Sequence, residues 1–143
     1  MLTAQAMTVR PDRVVCVVQV KPPFPLMTSP ELMARVLERF PDLPRHACVN
    51  QVGPSFAQVM DHTPTPHLLE HLVIDLQLEQ YARMDLPAAI QARPLTGVTQ
   101  WVNREKGTAR VEVGYWDDLV ALGCFTRAIE LLNQLAASPA PGL

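Results

Sequence analysis

Three residues of this chain combine types and spacing that could do chemistry: His67, Glu70 and His71. Histidines four apart leave one face of a helix one turn apart, so two imidazoles can reach the same metal ion. Zinc takes neutral imidazole nitrogens and tolerates an open fourth position for water. Glu70, one residue before the second histidine, is placed to accept a proton from a water that the metal has made acidic. The order H-x-x-E-H inverts the H-E-x-x-H zinc pattern and is the inverzincin arrangement. A blander reading is two partly exposed histidines paired with nearby carboxylates. Two features favour the metal. The surrounding helix is apolar nearly all round, so burying three ionisable groups in it is costly unless something compensates. The group also falls in the first turn, beside a loop (Asp61-His62-Thr63-Pro64) that can admit a substrate.

A catalytic zinc needs a third protein ligand. Glu105, Glu112, Asp117, Cys48 and His46 are the candidates. Glu105 is expected at the end of a strand and Glu112 on the polar side of the next. Cys48 could offer a thiolate, but a cysteine between Ala47 and Val49 is more often core. His46 and His62 are expected in solvated loops. Arg104 and Arg110 suit a substrate carboxylate, although Arg104-Glu105-Lys106 also reads as a plain charged turn. Asp75 and Glu79 continue the main helix, as surface residues or as partners that orient the histidines.

The elements that must position these residues follow from pattern and punctuation. Arg13 to Val20 is β-branched and apolar, a buried strand, ended by Pro22-Pro23-Phe24-Pro25. Ser29 caps a helix with Pro30 in its first turn and an apolar stripe of Leu32, Val36 and Phe40. A short strand is expected over 47–52, then a short helix or turn from Ser55 to Met60. The main helix is expected with Thr65 as cap and Pro66 at its first position, running to about Met84. Strands over 98–103 and 109–116 flank a hairpin connection at Arg104-Glu105-Lys106-Gly107. Asp117 or Asp118 caps a last helix with the stripe Leu122, Phe125, Ile129 and Leu132. Helices packed on one face of a mixed or antiparallel sheet make an α+β domain. Its expected span is 12–137, with flexible tails at 1–11 and 138–143.

Composition narrows the function classes. At 143 residues and 48% hydrophobic, the chain is the size of one domain with a core of its own. The net charge of -2 gives no electrostatic footprint for nucleic acid or an anionic membrane surface. Three cysteines at wide spacings do not form a disulfide framework. The N-terminus lacks a signal-peptide run, and no stretch reads as a membrane span. The cytoplasm is the expected location, with no nucleic-acid or membrane partner; a homo-oligomer stays open.

Pro66-His67-Leu68-Leu69-Glu70-His71-Leu72-Val73-Ile74-Asp75-Leu76-Gln77 resembles the G-H-x-x-E-H-x-A-L-E-L-Q segment of the N-terminal domain of cyanophycin synthetase. His46-Ala47-Cys48 and Gly53-Pro54-Ser55-Phe56 resemble that domain's H-x-C and G-G-F stretch. Asn103-Arg104-Glu105 resembles its T-R-E, and Val111-Glu112-Val113-Gly114-Tyr115 its V-V-x-E-Y strand. The resemblance covers roughly residues 12 to 137. It lacks the synthetase's ATP-using modules, and no G-x-x-x-x-G-K-[ST] loop is present. In some synthetases this domain is a metal-dependent hydrolase that trims the polymer into primers. The resemblance therefore implies His67 and His71 as ligands, Glu70 as base and Glu105 as third ligand. The chain departs from the family at Pro66 (a glycine there), Asp75 (a glutamate) and Gly114 (the glutamate of E-Y).

The leading expectation is a zinc-dependent peptidase or amidohydrolase acting on a peptide or isopeptide bond of a peptide-like or polymeric substrate, including cyanophycin-like material. The alternative is a non-catalytic module that keeps the fold and docks a polymer or partner enzyme. A third reading makes the zinc structural.

Overall fold

The computed structural model describes residues 1–48 and 55–137. Eight elements follow one another: β1 (Leu2–Val9), β2 (Arg13–Val20), α1 (Pro30–Arg39), α2 (Thr65–Tyr81), the single turn α3 (Ala88–Gln91), β3 (Gly97–Asn103), β4 (Thr108–Gly114) and α4 (Asp118–Ala137). Two 3-10 turns, Leu43–Arg45 and Phe56–Gln58, lie between α1 and α2. The four strands form one antiparallel sheet in the order β1-β2-β4-β3. This is the expected α+β class, and of the two sheet types left open it is the antiparallel one.

Alternation along the central strands sets the layers. Val14, Cys16, Val18 and Val20 of β2, with Ala109, Val111 and Val113 of β4, are buried on one face. Helices α2 and α4 cover that face and each other, α2 over β3 and β4 and α4 over β1 and β2, while α1 packs on α4. Helix α2 is buried on nearly all sides, as its sequence predicts. By length and composition α4 could cross a membrane; here Cys124, Phe125, Ala128 and Leu132 are buried in the core.

Local chemistry explains most of the boundaries. Ser29 accepts a hydrogen bond on its Oγ from the Leu32 backbone N–H at 3.2 Å and caps α1. Asp117 Oδ1 does the same for the Val120 N–H at 3.1 Å and caps α4. Gly107 closes the β3–β4 connection with φ at 71°, in the left-handed region that glycine enters without penalty.

Three expectations need correction. The residues expected as a flexible tail at 1–11 include β1, an edge strand whose backbone pairs with β2 from Leu2 opposite Val20 to Val9 opposite Val14. Thr65 is the first residue of α2 rather than its cap, because its hydroxyl donates to the carbonyls of Pro25 at 2.9 Å and Leu26 at 3.3 Å; Pro64 takes the cap position. The helix ends at Tyr81, not near Met84. Most of the strand expected over 47–52 lies outside the described residues, as does the tail at 138–143. Within them, Ala47 forms a single bridge to Ser55.

Candidate metal centre

The first turns of α2 bring His67, Glu70 and His71 to one wall of a cavity of about 1000 Å3, facing β3. The segment after the Leu43–Arg45 turn adds His46 and Cys48 to the lining, against the two histidines of α2. Nε2 of His67 and Nε2 of His71 lie 3.2 Å apart, and Sγ of Cys48 is 3.4 Å from Nε2 of His67. All three donor atoms fall within 4.8 Å of one another. Tetrahedral zinc with bonds of about 2.0–2.1 Å to nitrogen and 2.3 Å to sulfur would hold such atoms roughly 3.3 Å (N to N) and 3.6 Å (N to S) apart. The donor set could thus hold a metal ion, with the two His67 distances close to those values.

The other ring nitrogens are engaged by neighbouring groups. Nδ1 of His67 is 2.9 Å from the Thr63 hydroxyl, and Thr63 is itself fixed by Thr28, whose hydroxyl accepts from the Thr63 N–H and whose N–H donates to the Thr63 carbonyl. Nδ1 of His71 lies 3.2 Å from Nδ1 of His46, whose Nε2 lies 3.1 Å from the Asp75 carboxylate. One set of tautomers satisfies the whole chain: His46 donates from Nε2 to Asp75, His71 donates from Nδ1 to His46, and Nε2 of His71 carries no proton. A carboxylate acting through a histidine on a metal-binding histidine is the kind of outer support that fixes ring orientation. Asp75, one turn beyond His71, is one of the orienting partners considered from the sequence. Glu79 instead pairs with Arg83 at the surface, at 3.5 Å.

Packing completes the cradle. The Phe56 ring stacks on His71 with centroids 4.2 Å apart and meets His67 edge-on at 5.3 Å. Burial pushes the His71 imidazole down to about 3, with the neighbouring His67 and His46 adding to the shift, and it lowers His67 as well. Both rings are therefore neutral near pH 7, as ligands must be.

Glu70 stands beside the donors, with Oε2 3.6 Å from Nε2 of His71. The Thr99 hydroxyl of β3 donates to its Oε1 at 2.8 Å. Burial pushes the carboxyl up to about 7 against the pull of that hydrogen bond. The side chain fits because Gly97 has none: a Cβ there would come within 2.5 Å of Cγ and 2.8 Å of Oε2 of Glu70.

The structure does not bring the other expected site residues to this place. Glu105, chosen as third ligand, and Arg104 are exposed in the β3–β4 turn and do not line the cavity. The turn's charged residues face water, so Cys48 takes the position beside the histidines. Arg110 and Glu112 project from the opposite face of the sheet and pair there with each other at 3.5 Å; Arg110 also donates to Gln100. Asp117 caps α4, and His62 is exposed. Gly114, where the resemblance places a glutamate, lies outside the cavity, and a Cβ there would meet the Pro94 carbonyl at 2.7 Å.

Thr63, Thr99 and Gly97 are not among the candidates from sequence; Cys48 and His46 are, but with Cys48 expected in the core and His46 in a solvated loop. A signal existed for this last pair: residues two apart in an extended segment share a side, so His46-Ala47-Cys48 presents an imidazole and a thiol together. The other cysteines are core residues, with burial pushing the thiols of Cys16 to about 12 and Cys124 to about 11, so neither is a thiolate at neutral pH. Compared with protein-family models and with curated proteins, the chain matches none.

Proposed function

We propose that this protein is a zinc-dependent hydrolase that cleaves a peptide or isopeptide bond, with His67, His71 and Cys48 holding the metal and Glu70 moving the proton. The observation that carries this reading is the convergence of Nε2 of His67, Nε2 of His71 and Sγ of Cys48 on an open cavity, with the Glu70 carboxyl beside them. Three protein donors facing open space are the arrangement of a catalytic zinc, whereas a structural zinc is enclosed by four. Two imidazoles with a thiolate favour zinc over magnesium, calcium or manganese.

When bound, zinc acidifies water and polarises a carbonyl. The remaining work falls to the chain. Glu70, raised to about 7, is basic enough to take a proton from water near neutral pH and acidic enough to release it. Thr99 holds Oε1, leaving Oε2 on the histidine side. In the net reaction the water oxygen bonds to the carbonyl carbon, the C–N bond breaks, and the proton taken by Glu70 passes to the leaving amine. Edge strand β3 borders the cavity from Gly97 to Thr99, and a sheet edge is a natural seat for an extended peptide chain.

The deciding experiment measures metal content and hydrolysis together. One zinc per chain is expected in the wild type, lost in His67→Ala. Glu70→Gln is expected to keep the zinc and lose hydrolysis by about 10²–10⁴-fold. Zinc-free wild-type protein that folds normally would remove the enzyme reading.

A further inference from the structure

We infer that the substrate carries uncharged, apolar groups on both sides of the bond that is cleaved; this rests on the hydrolase reading for which bond is meant, and on the cavity walls for the rest. Apart from the candidate metal donors, His46 and Glu70, the described residues lining the cavity include no ionisable side chain. Residues 49–54, beyond the described set, contain none either. Away from the candidate metal donors, His46 and Glu70, a guanidinium or carboxylate brought against these walls would lose water without gaining an ionic partner.

The apolar groups are arranged about the site. The stripe of α2 that carries His67, Glu70 and His71 continues at helical spacing into Ile74 and Leu78, both of which line the cavity. Strand β3 runs against this stripe in the opposite direction. Glu70 meets Gly97 and Thr99. Gln77, two turns further along α2, donates to the Gly114 carbonyl at 3.1 Å, and the Gly114 N–H donates to the Thr96 carbonyl. Leu95 therefore lies level with Ile74 and Leu78 on one side of Glu70. Trp101, on the same side of the strand as Gly97 and Thr99, lies towards the first turn of α2 and Pro64 on the other. Leu78 keeps 43% of its surface exposed at this cavity, an apolar surface that a bound side chain would cover. Arg104 and Arg110, which the sequence offers for a substrate carboxylate, both lie elsewhere.

The test compares two capped dipeptides, leucyl-leucine and aspartyl-arginine, in hydrolysis by zinc-loaded wild type and in calorimetric binding to zinc-loaded Glu70→Gln. Apolar contacts of this size discriminate by about tenfold or more. We expect the leucyl peptide to be preferred at least tenfold in both measurements. Leu78→Lys is expected to cut that preference several-fold with zinc content unchanged; residue 78 is exposed enough to accept the change without unfolding. Equal or inverted preference, binding of neither peptide, or an unaffected Leu78→Lys variant would overturn the inference. Selective binding without any hydrolysis would remove the hydrolase reading and leave the apolar recognition standing. Efficient cleavage of the charged peptide would do the reverse.

Discussion

Two polar clusters sit on opposite faces of the same sheet, and they behave oppositely. On the outer face, Arg13 and Arg110 flank Glu112 at 3.1 and 3.5 Å, and the two arginines are close to half exposed. Those charges satisfy one another and water, and pairs of this kind contribute little. On the inner face, beside Cys48, burial lowers the pKa of His67 and His71 and raises that of Glu70, so charge is penalised there. Their donors point at each other rather than at partners of opposite sign. The first cluster is complete as it stands, while the second could hold a metal ion. Charged residue type and the family resemblance, which drew attention to Glu105, Arg104 and Arg110, do not separate the two; burial and convergence do.

The sharpest way to break this contrast is to remove a donor from one cluster and a carboxylate from the exposed turn. Cys48→Ser is expected to weaken zinc binding well beyond the about 10–100-fold that outer partners control. Glu105→Gln is expected to leave it unchanged. Competition with a chelator measures both, and the reverse ranking would restore Glu105 as the ligand.

A smaller effect is expected one step out from the metal. His46→Ala leaves all three donors in place but cuts His71 from Asp75, and zinc affinity should fall about 10–100-fold. Asp75→Asn should fall in the same direction and by less, since His46 remains. No change in either variant would mean that the relay is packing alone.

The third effect concerns the metal-free fold. The folded value of Glu70, about 7, lies above the ordinary 4.5, so the folded chain holds a proton over a range where the unfolded chain has released it. That contribution is present below about pH 4.5 and is lost as pH rises through 7. In chelated protein, Glu70→Gln should therefore raise stability by up to about 3 kcal/mol at pH 8, with the gain fading by pH 4.5. Denaturant titrations at the two pH values measure it; a gain independent of pH would contradict the assignment.

The smallest effect belongs to the outer cluster. Arg110→Ala should cost no more than about 1 kcal/mol and leave zinc affinity and hydrolysis as they were. Loss of activity with zinc retained would return Arg110 to the substrate site.

Much of the fold was legible because its signals are local. The Ser29 cap, the Gly107 turn and the alternation of β2 and β4 each act within a few residues. Strand β1 was not legible: of its eight residues only Leu2 is fully buried, so it lacks the apolar alternation of a strand packed on a core. Its order comes from pairing with β2, and Leu2 is fastened at a distance of 131 residues by the amide of Asn133, which both accepts from and donates to its backbone. The site divides in the same way. His67, Glu70 and His71 lie within one helical turn, and their spacing shows. Cys48 and Thr99 reach them across 19 and 29 residues, contacts that a linear pattern does not encode.

Gly97 carries a consequence for how such a protein could change its trade. A methyl group at that position would press first on the Glu70 side chain. One base change in a glycine codon is enough to introduce it. On the proposed hydrolase reading, the proton carrier would be displaced while the candidate donors and the apolar walls stayed in place, turning a cutter into a holder of the same ligand. An enzyme and a docking module built on this scaffold would then stand a single carbon atom apart.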